Sequence, residues 1–192
     1  MGAESLGQAE PLNLRAFFGL PVPEAQREIL TGYVAECAAM TPEFRWVAPG
    51  NLHLTVRFLG SVEKRTADGI AGRLAEQKLD GFDLELGEVG TFKRGRLVRV
   101  VWIGLRRGLK AARELAAAVE AECARAGLEA EARPFQPHLT LARARGREGL
   151  VLPSLPPAPS LEAWRAGELV LYQSHLGRPG PVYQPLRSLR LD

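Results

Sequence analysis

The sequence predicts an α+β protein with two sheets, built from two copies of one structural unit. Two tetrapeptides of the same pattern, HLTV at 53–56 and HLTL at 138–141, begin 85 residues apart. Each copy mixes strand-like and helix-like segments, which favours sheets covered by helices. When many residue pairs along a chain match at the same separation, without gaps, the sequence contains a structural repeat. The same offset relates Gly19-Leu20 to Gly104-Leu105, Pro49 to Pro134, Leu84 to Leu169, and Gly95 to Gly180.

The first copy begins with a predicted strand at about 12–20, which ends where prolines at 21 and 23 stop the pairing. A helix is predicted over about 23–40, because apolar residues recur there at helical spacing. Two further strands are predicted at 44–47 and 52–59 from alternating apolar residues. The second of them carries His53.

The second copy repeats this order. A strand is predicted at 97–105 and a helix at about 107–126, closed by Gly127 because glycine commonly ends helices. Strands are then predicted near 128–133 and 138–143, the latter carrying His138.

The two copies differ after the motif. Residues 63–79 read as another helix, whereas the matching later stretch contains the proline-rich segment PSLPPAPS at 153–160, which predicts a rigid loop. Strands return at about 82–92, 167–175 and 181–190. A pseudo-twofold pairing would place both motif strands at a central cleft.

The composition is that of an ordinary globular protein, with 46% hydrophobic and 24% charged residues among 192. No apolar run approaches the roughly 20 residues that cross a bilayer, and the start resembles no signal peptide. We expect a flexible tail at 1–10, a single domain over 11–192, and a cytoplasmic location without membrane association.

Cys37 and Cys123 fit no metal or disulfide pattern and are expected to be reduced packing residues. The net charge of +3 alone would not establish a nucleic-acid partner.

The two HxT motifs predict acid–base chemistry. Residues two apart on a strand share a face, so each histidine points the same way as its threonine. Two imidazoles can act as base and acid near neutral pH, and phosphoryl oxygens need fixed donors, for which Thr55 and Thr140 are placed. Together His53, His138 and these threonines outline a phosphoester-cleaving site. No further histidine or acidic residue lies at ligand spacing, so we expect no metal and no cofactor. His175 lacks the threonine and is interpreted as a solvated loop residue.

With these motifs the chain resembles the 2H phosphoesterase superfamily. It is most similar in pattern to the bacterial and archaeal RNA 2′,3′-cyclic phosphodiesterases, also called the LigT-like 2′-5′ RNA ligase family. The resemblance rests on RWVAPGNLHLTVRFLG at 45–60 and PFQPHLTLARAR at 134–145, supported by LVLYQSHLGRPGPVYQPL at 169–186. It covers nearly the whole chain after residue 10.

The resemblance implies two pseudo-symmetric lobes, each an antiparallel sheet with helices on its outer face, and an active-site cleft between them. It implies hydrolysis of a 2′,3′-cyclic phosphate at an RNA 3′ end to a 2′-phosphate, with reversible 2′-5′ ligation as a side activity. His53 would donate a proton to the leaving ribose oxygen and His138 would activate water, while Thr55 and Thr140 hold the non-bridging oxygens. The implied partners are RNA 3′ ends bearing the cyclic phosphate, tRNA fragments being one source.

Two arginines are further candidates for the phosphate. Strict alternation would put Arg143 on the core face, but the family pattern HxTLAR keeps an arginine here. We therefore expect the strand to end or bulge so that the guanidinium reaches the phosphate; the alternative is a surface arginine at a strand end. Arg57, predicted on the His53 face, is a comparable candidate.

Four aromatic residues could provide a stacking surface for a terminal base, although aromatic residues in strands more often belong to a core. They are Phe17, Phe44, Trp46 and Phe135.

Three alternatives to an RNA-end phosphodiesterase stay open. One is a cyclic phosphodiesterase acting on a small nucleotide, which a weakly basic surface would favour. Another is an RNA-end-binding module without turnover, in which replacing His138 would leave function unchanged. The last is a structural protein with accidental motifs, which the shared offset makes remote. A monomer is expected because duplication completes the site within one chain.

Overall fold

The computed structural model describes residues 13–178 and 180–192, so the predicted tail at 1–10 lies outside the described residues. The elements of the first half are β1 (Asn13–Pro21), α1 (Glu24–Met40), β2 (Phe44–Trp46), a 3-10 turn (Pro49–Asn51), β3 (His53–Glu63), α2 (Lys64–Ala75) and β4 (Phe82–Arg94). Those of the second half are β5 (Leu97–Arg107), α3 (Leu109–Arg125), β6 (His138–Ala144), β7 (Trp164–Ala166), β8 (Glu168–Leu176) and β9 (Pro181–Arg190).

The strands form an antiparallel array in the order β7-β4-β5-β6-β3-β1-β8-β9, with β2 also paired to β6. Its two halves, β3-β1-β8-β9 and β6-β5-β4-β7, meet where β3 and β6 pair at the single position Leu54–Leu139. The halves are the two lobes, so the predicted α+β architecture of two antiparallel lobes is confirmed.

Each lobe takes strands from both halves of the sequence. Strand β4, from the first half, pairs with β5, whereas β8, from the second half, pairs with β1. Neither lobe can therefore complete its sheet from one half of the sequence alone. This exchange keeps the two motif strands together at the centre.

The helices pack beside the motif strands on the face that buries Leu54 and Leu139. Helices α2 and α3 contact β3, while α1 contacts β2. Cys37 of α1 and Cys123 of α3 are buried free thiols, as predicted. Among the described residues no helix is long and apolar enough to cross a membrane.

Three details differ from the sequence-based expectations. Residues 128–133 form no strand. The Glu129 carbonyl and the Glu131 carboxylate of this segment accept hydrogen bonds from the Arg57 side chain, and no strand among the described residues pairs with its backbone. Strand β7, three residues that follow the proline-rich loop, was not predicted. His175 is exposed as expected, but it lies in β8 rather than in a loop, with Nε2 3.0 Å from Oε1 of Gln184.

Candidate active site

The pairing of β3 with β6 brings the two motifs together. Because Leu54 pairs with Leu139 in antiparallel register, His53 lies across from Thr140, and Thr55 lies across from His138. The leucines point into the core and are at most 3% exposed. Alternation then places both His/Thr pairs on the opposite face, where they share one cleft.

Backbone carbonyls orient both imidazole rings in the same way. Nδ1 of His53 lies 2.7 Å from the carbonyl oxygen of Asn51, and Nδ1 of His138 lies 2.7 Å from that of Gln136. Because a carbonyl only accepts, each Nδ1 carries its hydrogen and each neutral ring presents an unprotonated Nε2. Nε2 of His53 is 2.9 Å from Oγ1 of Thr55, so this hydroxyl can donate to it.

The cleft favours neutral imidazoles. Burial above all, with the charges of Arg143 and His138, lowers the pKa of His53 to about 4, although the hydrogen bond to Asn51 opposes the shift. Burial and Arg143 also lower the pKa of His138, against the effect of the Gln136 carbonyl. Both rings are therefore neutral at pH 7 in the free protein.

A β-bulge follows each motif and resets which residues face the cleft. In the β1–β3 pairing the register skips Val56, and in the β5–β6 pairing it skips Leu141. Each bulge adds one residue to one strand, so alternation is reversed beyond it. Residues 58 and 143 consequently lie on the histidine face, whereas residues 57 and 142 point into the core.

Arg143 reaches the site because of its bulge. It is exposed on the cleft side, and its charge acts on both His53 and His138. Arg57, in contrast, does not reach the site, and its predicted phosphate role is wrong. It is 8% exposed and donates to Glu120, to Oε1 of Glu131 at 2.9 Å and to the Glu129 carbonyl at 2.5 Å.

Comparison with known proteins agrees with this geometry. Residues 20–102 and again residues 103–183 match the protein family described as LigT like Phosphoesterase. The chain belongs to the LigT-like phosphoesterase family. The predicted membership of the 2H phosphoesterases is thereby confirmed.

Similar proteins cover most of this LigT-like phosphoesterase. An RNA 2′,3′-cyclic phosphodiesterase of Escherichia coli (strain K12) is 33% identical over 181 residues, 92% of this chain and 96% of that protein. A second, from Aeropyrum pernix, is 34% identical over 144 residues, 73% of this chain and 82% of that protein. The crystal structure of E. coli LigT complexed with 3′-AMP superposes with a TM-score of 0.81 at 31% identity, covering 93% of this chain and 98% of that one.

Aromatic rings line the cleft of this LigT-like phosphoesterase beside each histidine. The His53 ring lies 4.7 Å from Phe17 and 5.1 Å from Tyr183, between ring centroids. The His138 ring lies 5.0 Å from Phe92 and 6.1 Å from Trp102. These rings restrict the imidazoles and keep water from their faces, which is the physical origin of the lowered pKa values.

Of the four aromatic residues predicted to stack on a base, Phe17 and Phe44 are buried, and Trp46 and Phe135 are partly buried against the core. Phe17 lies beside His53 but is 1% exposed, Phe44 is buried, and Phe135 packs against the core. The Trp46 indole also packs against the core, with Nε1 3.2 Å from the Thr41 carbonyl.

Phe58, which the sequence reasoning missed, is 50% exposed and lies on the cleft side of β3. The signal was present in the sequence, because Phe58 is separated from Arg143 by the same 85 residues as the two histidines.

Nothing in the described parts of the chain forms a metal-binding group of three or more His, Cys, Asp or Glu side chains. The polar groups that face the cleft include the two imidazoles, the two threonine hydroxyls and the Arg143 guanidinium. This set provides two proton carriers and several donors, which suits an anionic ligand with a reacting phosphorus centre.

Proposed function

We propose that this chain hydrolyses the 2′,3′-cyclic phosphate at RNA 3′ ends to a 2′-phosphate, using two histidines and no metal. The observation that carries the proposal is the Leu54–Leu139 pairing, which sets two His/Thr pairs across from each other, each with Nδ1 bound to a backbone carbonyl and Nε2 unprotonated in the neutral ring. The RNA 2′,3′-cyclic phosphodiesterase activity named for the E. coli and A. pernix relatives supports the same substrate.

The chemistry is an in-line displacement at phosphorus. Nε2 of His138 takes a proton from water as its oxygen forms a bond to phosphorus. The bond from phosphorus to the ribose 3′ oxygen breaks, and Nε2 of His53 gives that oxygen a proton. The product carries a 2′-phosphate and a 3′-hydroxyl, and proton exchange with solvent restores both rings.

The proton on His53 arrives with the substrate. A pKa of about 4 leaves the ring neutral at pH 7 in the free protein, so it cannot serve as an acid unassisted. The anionic cyclic phosphate stabilises the imidazolium and raises this pKa in the complex. Acid and base thus acquire different protonation states only once the substrate is bound.

Donors for the non-bridging oxygens come from both motif strands. Thr55 and Thr140 lie on the same faces as the histidines, and Arg143 is a charged donor that acts on both rings. Charge builds on these oxygens in the transition state, where charge-assisted hydrogen bonds become stronger.

The decisive experiment uses an oligoribonucleotide ending in a 2′,3′-cyclic phosphate, incubated with the protein in EDTA. We expect a 2′-phosphate product from the wild type and none from His53→Ala or His138→Ala on the same timescale. A 3′-phosphate product would show that the leaving oxygen is assigned wrongly. Binding without turnover would favour an RNA-end-binding module, and loss of activity in EDTA would contradict a metal-free mechanism.

The same assay, with an added oligonucleotide whose 5′-hydroxyl replaces water as the nucleophile, addresses the ligation reaction. Joining of the cyclic phosphate to a 5′-hydroxyl would establish the 2′-5′ ligation side activity. A monomeric state, a cytoplasmic location and tRNA fragments as the RNA source stay predictions. The monomer follows from both motifs lying in one chain, and gel filtration with light scattering would test it.

A further inference from the structure

A second arginine lies directly beside Arg143 on the neighbouring strand. The β2–β6 register pairs Arg45 with Arg143, and residues paired across an antiparallel ladder project from the same face. Arg45 is exposed, so its side chain extends from the same face as the histidines, one strand spacing of about 4.8 Å from Arg143.

A third arginine lies on the other side of Arg143. Strand β5 pairs Val100 with Arg143, and the preceding residue, Arg99, is skipped in the β4–β5 register. The exposed Arg99 is close enough for its charge to act on Arg143. Arg143 is therefore flanked by a cation on each neighbouring strand.

This cluster has no compensating acid. Within residues 13–178 and 180–192, none of Arg45, Arg99 and Arg143 takes part in an ion pair, although exposed arginines elsewhere, such as Arg107 and Arg94, pair with carboxylates. Like charges directly opposite on a sheet destabilise it. These arginines lie beside the phosphate site and have no acidic partner among the described residues. They are therefore suited to bind a polyanion.

We propose that Arg45 and Arg99 form a subsite for the phosphodiester immediately 5′ to the cyclic phosphate. The inference rests on the proposed function, in which Arg143 holds the cyclic phosphate. A cyclic phosphate terminates the chain, so the remaining RNA leaves the cleft in one direction only, and the next phosphate is carried by the 5′ oxygen of the same ribose. The flanking arginines then select polynucleotides over a cyclic mononucleotide, which lacks that phosphodiester.

The test compares two substrates, a nucleoside 2′,3′-cyclic phosphate and a pentaribonucleotide ending in the same group. Arg45→Gln is expected to lower the ratio of kcat/KM for the pentamer to that for the mononucleotide about tenfold, the size of one lost charge-assisted contact. Binding of the pentamer product, followed by fluorescence anisotropy over a salt series, should lose about 0.7 from its log–log salt slope, one phosphate contact on a single strand.

Arg113→Gln is the matched control, since Arg113 is exposed on α3, takes part in no ion pair among the described residues, and carries the same charge. It should change neither the ratio nor the slope. An equal loss on both substrates, or an unchanged ratio and salt slope, would overturn the subsite. If the wild type hydrolyses neither substrate, the proposed function fails, and the salt slope of Arg45→Gln still decides the subsite by itself.

Discussion

Strands β3 and β6 carry the same motif and bulge at the same place, yet the residues after the bulge differ. The core-facing position is Arg57 on β3 and Ala142 on β6, and the cleft-facing position is Phe58 on β3 and Arg143 on β6. The two histidines are therefore placed symmetrically while their surroundings are not. Two histidines in identical surroundings could exchange protons with a phosphate in either direction. Different neighbouring residues are needed to place the leaving oxygen beside one histidine and the attacking water beside the other.

The segment that precedes each motif strand is also held in place by different contacts in the two halves. Strand β2 pairs with β6, whereas its counterpart at 129–131 pairs with no strand in the described structure. The Arg57 guanidinium binds that counterpart through the Glu129 carbonyl and the Glu131 carboxylate. One side chain of β3 thus replaces a strand ladder and fixes the segment that leads to His138.

The largest predicted difference between the halves concerns the two histidines. Replacing either by alanine should lower the rate on a ribose-leaving substrate at least about 100-fold, the usual contribution of an acid or base group. With a p-nitrophenyl phosphodiester the leaving group needs no proton, so we expect His53→Ala to recover most of its rate and His138→Ala to remain slow. Steady-state kinetics on the two substrates measure this, and recovery by His138→Ala instead would reverse the assigned roles.

The pH dependence of the residual activity gives a second view of the same asymmetry. In His53→Ala only His138 still titrates as an acid–base group, and a base must be neutral, so the residual rate should rise with pH through its pKa. In the wild type, activity should fall on the alkaline side as the proton donor His53 is deprotonated, and this alkaline limb should lie at higher pH for kcat than for kcat/KM. The bound anion raises the His53 pKa from about 4, and kcat reports the complex. Coincident limbs would contradict substrate-supplied protonation.

The next largest effect is expected at the cleft-facing positions. Arg143→Gln should lower kcat roughly 10- to 100-fold, because hydrogen bonds to a charged group contribute about 1.5–3 kcal/mol. Phe58→Ala should instead raise KM, and only for substrates with a base to stack. Steady-state kinetics of both variants on a nucleoside cyclic phosphate and on an abasic ribose cyclic phosphate separate the effect of Arg143 from that of Phe58. If Phe58→Ala instead lowered kcat equally for substrates with and without a base, Phe58 and Arg143 would have the same function.

The sequence predicted the elements that depend on periodicity and missed those that depend on a register shift. The helices α1 and α3 and both motif strands were predicted, because their apolar spacing extends over enough residues to be recognised. Arg57 was assigned to the wrong face since alternation cannot show the bulge at Val56. Arg143 was expected at the cleft from the family pattern rather than from alternation, and the register shift at Leu141 puts it on the histidine face. The exchange of β4 and β8 between lobes follows from long-range pairing that no local pattern encodes.

A smaller effect, on stability, is expected at the core-facing positions. Arg57→Met should lower the free energy of unfolding by about 2 kcal/mol, less than for a fully buried pair because Glu120 and Glu131 are 31% and 49% exposed and can be hydrated. Urea denaturation measures this. Arg65→Met, which breaks the exposed pair with Glu63, is the control and should cost at most about 0.5 kcal/mol. Equal costs for the two variants would show that the Arg57 network does not replace a strand.

The smallest predicted difference separates two glycines 85 residues apart, Gly19, which pairs with Thr55, and Gly104, which pairs with His138. A Cβ at Gly19 would lie 3.2 Å from both Cδ2 of His53 and the Leu54 carbonyl oxygen, whereas one at Gly104 would lie 3.1 Å from the Trp102 ring. In the first case the carbonyl belongs to the backbone, so the His53 imidazole must shift; in the second the contact falls on the Trp102 side chain and not on His138. Because reaction rates depend on sub-ångström positioning, Gly19→Ala should reduce kcat several-fold and Gly104→Ala should leave it nearly unchanged. Unfolding measurements on both variants separate a local shift from lost stability, and equal kcat values would mean that the His53 ring tolerates displacement as well as the indole does.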